Sequence, residues 1–345
     1  MRHPVLIGTA LAAALALAGT GCADPDRGGS AAGGAPASGA QAPVAMDSCG
    51  RSFTVERPPG RAVALDQTST ETLLELGLQD RMAGTANLKT KIPAAYAEAY
   101  GRVPVIAPKI ATSEQVRAAT PDFVMASSVD LFTKDRAGTR EELDALKVPT
   151  FVSAVDCPQQ GAGKTPFELL FADYEQLGAI FGVRERAGQL ARDQRAAVAE
   201  AAGHAGHGHG HGGEVPTVLY LYSVFNGQPY VAGGTSLPSE MSRIVGAKNA
   251  FDDVAEDWPE VSWEEVAKRD PDFIVIGDLS ERGRPGDSAA EKRAVLTGHP
   301  VVSKLAAVRD SKIIEVPGIE LDPSVRSVHA LGLIADGLGA LGHDG

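Results

Sequence analysis

The pattern that most constrains this chain is a repeat placed on either side of one long helical stretch. From Arg184 to Ala202 the sequence reads as a helix of about five turns. Val183, Ala187, Leu190, Ala197, Val198 and Ala201 recur there at three- and four-residue steps with charges between them. Gly203 follows as a C-terminal stop. Upstream, Glu114 to Ala119 predicts a short helix, Thr120-Pro121-Asp122 a turn and Phe123-Val124-Met125 a buried strand. Downstream, Glu264 to Arg269, Asp270-Pro271-Asp272 and Phe273 to Ile276 repeat that order at the same spacing. The expected fold is therefore α/β. Two similar lobes, each with a mainly parallel sheet flanked by helices, are joined by one rigid helix, with a ligand cleft between them.

A chain of 345 residues is long enough for two such lobes with real cores. Its formal charge of -12 argues against nucleic acid or anionic lipid headgroups as the main partner, since those need a basic patch. Residues 1–22 read as a signal peptide. Arg2 and His3 precede the mainly apolar stretch Val5–Ala18, which is too short to span a bilayer comfortably. Gly19-Thr20-Gly21 before Cys22 is similar to a bacterial lipobox, although Gly19 stands where leucine is usual. Acylated Cys22 would anchor the protein at the outer face of the cytoplasmic membrane. Residues 23–46, rich in Gly, Ala, Pro and Ser, cannot bury a core and are expected to be a disordered tether. Cys49 and Cys157 remain; in an oxidising compartment they are either a bridge across the first lobe or two separate small buried residues.

The first lobe is expected over 47–183, with Arg51 to Glu56 as an edge strand and the helix from Pro166 to Phe181 closing it. The linking helix takes 184–202, a flexible His-rich loop 203–213 and the second lobe 214–345. In open α/β sheets ligands sit beyond the C-terminal ends of the strands. Those ends offer Asp66, Gln67, Thr68, Asn87, Ser128 and Asp130 in the first lobe. The second lobe offers Tyr222, Phe225, Tyr230, Trp258, Asp278 and Arg326. Arg326, near Glu320 and Asp322, either grips an anionic ligand or pairs internally. Trp258 and Trp263 either wall the cleft or fill the second core, the core being favoured for Trp263. His204, His207, His209 and His211 alternate with Gly in a run that suits weak, promiscuous transition-metal binding without fixed geometry. His329, inside the final helical pattern, is expected to be packed. Gly161-Ala162-Gly163-Lys164-Thr165 mimics the end of a P-loop, but Pro158 stands where the first glycine belongs.

Five blocks together carry a resemblance. They are the leader with Cys22, Arg61–Ala86, Ser113–Ala126, Tyr230–Phe251 and Trp258–Ile276. In this order they resemble the substrate-binding lipoproteins of ABC importers for ferric siderophores, haem and cobalamin. The resemblance implies two α/β lobes on a rigid helix, a shallow cleft and small closure on binding. It implies no catalysis and no cofactor, the ligand being an iron or other metal chelate. The partners it implies are an ABC permease with its ATPase, met by a monomeric receptor through one acidic residue per lobe. Glu114 matches the first-lobe position and Glu240 the second, with Glu256 or Glu260 as substitutes. Rival readings are a corrinoid or cofactor-type organic ligand, and direct capture of Zn or another ion aided by the His run. A receptor-fold sensor and a secreted hydrolase or metalloenzyme stand further off, the last lacking GxSxG and HExxH.

Overall fold

The computed structural model describes residues 42–157, 161, 163–205 and 215–342, all within one compact unit, Gln41–Gly345. Cys22, most of the tether, and His207, His209 and His211 lie outside the described residues, as does Pro158.

In the first lobe β1 (Val44–Ser48), β2 (Arg51–Val55), β3 (Ala62–Ala64), α1 (Gln67–Glu75), β4 (Met82–Ala86), α2 (Ala97–Tyr100) and β5 (Val105–Ala107) come in turn. They are followed by α3 (Ser113–Ala118), β6 (Phe123–Ala126), α4 (Arg140–Ala145) and β7 (Thr150–Val152). Strands β5-β4-β3-β6-β7 form a wholly parallel sheet. β3, β6 and β7 are buried on both faces, which explains their continuous apolar runs. β1 and β2 form a separate antiparallel hairpin, so Arg51 to Glu56 is not an edge of the main sheet. β1 also takes up the last three residues of the expected tether, Val44 to Met46. Ser48 ties the hairpin to β7, its Oγ accepting from Val152 N–H (2.8 Å) and donating to Val152 C=O (3.1 Å). A disulfide between Cys49 and Cys157, with Cα atoms 5.6 Å apart, closes the same corner.

The two lobes are joined by a pair of helices, α5 (Pro166–Phe181) and α6 (Arg184–Ala205). α5 starts with a capping box between Thr165 and Glu168 and Pro166 in its first turn. It ends at Gly182, whose left-handed φ of 71° turns the chain back. The two helices then run antiparallel, with Glu175 paired to Arg195 (3.0 Å) and Gly178 so close to Ala187 that a Cβ there would overlap it. Two expectations change. The rod is double, because Leu177, Ile180, Phe181 and Ala187 pack in the first core while Phe167, Phe171, Tyr174, Ala191 and Ala201 pack in the second. Gly203 does not stop α6, which reaches Ala205 and takes the backbone of His204 into the helix.

The second lobe contains β8 (Thr217–Phe225), β9 (Gln228–Val231), α7 (Leu237–Ile244), β10 (Lys248–Asn249), α8 (Trp263–Arg269) and β11 (Phe273–Asp278). It finishes with α9 (Ala289–Gly298), α10 (Ala306–Arg309), β12 (Ile313–Pro317) and α11 (Ser327–Ala340). Strands β10-β8-β11-β12 are parallel, and β9 folds back antiparallel on β8. The sequence repeat has one structural meaning. Asp122 accepts from the N–H groups of Gly60 and Arg61 at the start of β3, and Asp272 accepts from Thr217 N–H at the start of β8. In both lobes the Pro-Asp turn stitches the repeat's strand to the lobe's central first strand. Residues in the loops just past the ends of β4, β6, β7, β11 and β12 line the space at those ends.

Candidate functional site

Those loops enclose two neighbouring cavities. The smaller, about 260 Å³, is lined by Lys89, Ser127, Ser128, Asp156, Asp257, Trp258 and Asp322, among others. The larger, about 560 Å³, is lined by Thr90, Lys91, Asp278, Glu281, Glu315 and Arg326, with Ile92, Pro93 and Ile319 as apolar wall.

On the first-lobe side, four of the expected contacts, Asp66, Gln67, Thr68 and Asn87, shape the frame of the cleft. Asp66 is 4% exposed and caps α1; its Oδ1 accepts from Ser69 N–H (2.8 Å) and Thr68 Oγ1 (2.9 Å), its Oδ2 from Ser127 N–H (2.6 Å). Both carboxylate oxygens are thereby occupied. Gln67 is also buried, and its Oε1 accepts from the N–H groups of Lys89 (2.9 Å) and Thr90 (2.8 Å), so it shapes the loop that reaches the cleft. Asn87 turns the chain out of β4 with a left-handed φ of 52°. Ser128 does line the smaller cavity; Asp130, beside it, lines neither cavity and is exposed.

On the second-lobe side, Tyr222 is buried and its ring lies 4.4 Å from that of Trp258. Its hydroxyl donates to Asp322 Oδ2 (3.1 Å). Tyr222 thus backs Trp258, which presents its indole to the cavity. Phe225 is 54% exposed and, like Tyr230, whose hydroxyl bonds Glu260, lines neither cavity. Asp278 lines the larger cavity while accepting from Ser280 N–H (3.0 Å) and Ala289 N–H (3.1 Å). Arg326 pairs internally, with Glu320 at 2.6 Å and with Glu71 of the first lobe at 3.5 Å. Glu320 also meets His329 Nδ1 at 2.6 Å, and the His329 side chain is 62% exposed where packing was expected. Trp263 is a core residue whose Nε1 donates to Gly227 C=O (2.8 Å).

The cleft has a negative bias. Asp257 is open to solvent but has protein on most sides. Lost hydration there, reinforced by Asp322 and Asp156, pushes its carboxyl up to about 7. Asp156 is likewise raised, first by burial. The cations present are already paired, Lys89 with Asp322 (2.7 Å) and Lys91 with Glu281 (3.8 Å). Burial works against the Lys89 charge, but Asp322 and Tyr222 outweigh it and hold its pKa above the ordinary lysine value. Among the described residues no three His, Cys, Asp or Glu side chains converge to hold a metal ion.

Several of these groups escaped sequence reasoning. Lys89 and Lys91 lie just past the strand end at Asn87, and Asp257 precedes Trp258 in a loop with no strand signal. Lys292 gave no signal at all. It is wholly buried in α9, and its ammonium donates to the carbonyls of Tyr222 (2.6 Å), Asp287 (2.8 Å) and Gly277, pinning the ends of β8 and β11. Burial pulls its pKa down to about 8. Of the expected docking glutamates, Glu114 is exposed in the first turn of α3. Glu240 is 6% exposed, and its Oε2 accepts from Phe167 N–H (2.7 Å) at the start of α5. Its carboxylate faces a helix terminus inside the protein. Glu256 and Glu260 are exposed.

Two parallel-sheet lobes on a helical rod, with a polar and aromatic cleft across their strand ends, define a bilobal solute-binding protein. The family model described as periplasmic binding protein matches residues 63–319, and the chain belongs to that family. A periplasmic binding protein from Veillonella parvula superposes with a TM-score of 0.74 at 27% identity, covering 86% of this chain and 98% of that one. An ABC-type Fe3+-hydroxamate transport system structure from Saccharomonospora viridis gives 0.70 at 24% identity, covering 86% and 99%. A vitamin B12-binding protein of Pectobacterium atrosepticum is 35% identical over 65 residues, only 19% of this chain and 23% of that protein. The vitamin B12-binding protein of Yersinia pestis is 25% identical over 221 residues, 63% of this chain and 69% of that one.

Proposed function

We propose that the protein is the extracytoplasmic receptor of an ABC importer, and that it binds a neutral or positively charged metal chelate, of ferric hydroxamate type, for delivery to the permease. The supporting observation is the cleft's composition. Trp258 offers a flat apolar wall, Ser127, Ser128 and Thr235 offer hydroxyls, and Asp156 and Asp257 share the cavity with a single cation, Lys89, which Asp322 already pairs. A polyanionic complex would be repelled by this excess of carboxylates over cations, and a neutral or cationic one would not. In this reading the cargo brings its own metal ligands. The likeness to the hydroxamate and B12 proteins supports this class, and a corrinoid, whose periphery is mostly uncharged carboxamide, is the second reading.

Anchoring through Cys22 and docking through Glu114 with Glu256 or Glu260 complete the proposal. No chemistry is performed on the cargo. Native mass spectrometry of protein purified from its own host tests it. An organic chelate retained one per chain, and lost in Trp258→Ala, is expected; a bare metal adduct alone would overturn it.

A further inference from the structure

We propose that the two cavities are halves of one cargo site, and that the ion pair between Lys89 of the first lobe and Asp322 of the second is the gate that divides them. The inference rests on the reading that this cleft carries cargo. The same two segments wall both spaces. Lys89 lines the smaller cavity, and Thr90 and Lys91 the larger; opposite them Asp322 and Pro323 line the smaller, and Ile319 and Arg326 the larger. Between these segments stands the Lys89 Nζ to Asp322 Oδ2 contact at 2.7 Å, with the Tyr222 hydroxyl 3.1 Å from the same oxygen.

Size argues for the union. Organic ligands occupy pockets of roughly 300–1,000 Å³, and the smaller cavity, which holds the Trp258 wall, is about 260 Å³. With the gate open, that wall and the larger space serve one ligand.

The gate has a rigid post on each side. Gln67 holds the amides of Lys89 and Thr90 from within the first lobe, so breaking the ion pair leaves their loop formed. Tyr222 holds Asp322 from within the second. Two further contacts cross the same line. Lys91 N–H donates to Glu281, whose pairing with the Lys91 ammonium is largely solvated, and Arg326 meets buried Glu71. The Lys89 and Asp322 side chains are only 33% and 15% exposed, so salt screens this pair less than the Lys91 pair. Cargo binding must displace the pair, and the fraction of open molecules scales the apparent affinity.

The test uses Lys89→Met, which keeps length and removes charge, Asp322→Asn as an independent second variant, and the swap Lys89→Asp with Asp322→Lys. Two readouts need no ligand. One is acrylamide quenching of Trp258, the other of the chain's two tryptophans, Trp263, being buried. The second is hydrogen exchange at the Lys91 amide. A third is affinity for a cationic ferric hydroxamate, cyanocobalamin and haem as probes. Both single variants are expected to raise quenching and exchange, and to tighten the best probe about three- to tenfold; the swap should return all three toward wild type. Unchanged quenching and exchange would overturn the gate, as would a tenfold loss of probe affinity, which would make Lys89 a direct ligand contact. If no probe binds wild type, the cargo reading fails on its own, and quenching with exchange still decides the gate.

Discussion

The two lobes are built on one repeat yet finish their strands differently. In the first, Thr68 and backbone amides occupy Asp66, and Gln67 is held by Glu71, Thr90 and the Lys89 amide, leaving the Ser127 and Ser128 hydroxyls toward the cleft. In the second, a buried ammonium ties the strand ends together, and aromatic and carboxylate side chains reach outward. The lesson is that a strand-end position makes a residue available to the cleft without making it a ligand contact. What the neighbouring backbone demands decides.

Lys292→Met should give the largest effect. Three carbonyls would lose a buried donor at about 1 kcal/mol or more each, so a loss of roughly 3–4 kcal/mol is expected in denaturant unfolding. A loss below about 1 kcal/mol would mean that the second lobe's strand ends are held by something else. Replacing both Cys49 and Cys157 by Ser opens a loop with a sequence separation of 108. It should cost about 2–4 kcal/mol. Hydrogen exchange should rise in the first lobe ahead of the second; the reverse order would contradict the lobe assignment.

Asp66→Ala and Trp258→Ala sharpen the contrast between frame and contact. Asp66→Ala is expected to remove about 1–2 kcal/mol of stability through the lost cap and the Ser127 bond, with probe affinity nearly unchanged. Trp258→Ala should do the opposite, lowering affinity about tenfold, which is about 1.4 kcal/mol, with little change in unfolding. Exchanged outcomes would reverse the two roles.

How much of this was legible followed from the kind of signal. Parallel strands buried on both faces are continuous apolar runs, so β3, β6 and β11 stand out in the sequence, and the Pro-Asp repeat marks the two lobes. The α9 helix went unread although Ser288 and Glu291 form a capping box at its start. The site was less legible because side-chain pairing is a property of three dimensions. Nothing local says that Glu240 turns inward to Phe167, that Arg326 meets Glu71 from the other lobe, or that Lys89 and Asp322 touch across 233 positions. Strand-end position recovered the cleft; it could not separate its frame from its wall.

A smaller effect concerns pH. Asp173, buried in α5, accepts from Ser153 Oγ (2.7 Å) and Ala154 N–H (3.0 Å), yet burial pushes its carboxyl up to about 7. The native state therefore holds a proton that the unfolded state has released, and stability falls as pH rises from the ordinary carboxylate range toward 7. Asp173→Asn should flatten that slope in thermal unfolding; an unchanged slope would place the titration elsewhere.

The charge preference of the cleft is tested most directly by calorimetric titration with a cationic ferric hydroxamate and a ferric tris-catecholate anion, below and above pH 7. Asp257 loses its proton near that point. The cationic complex should bind one per chain and tighten as pH rises, with the gain lost in Asp257→Asn, while the anion binds weakly throughout. Tighter binding of the anion, or equal affinities for both complexes at either pH, would contradict the account.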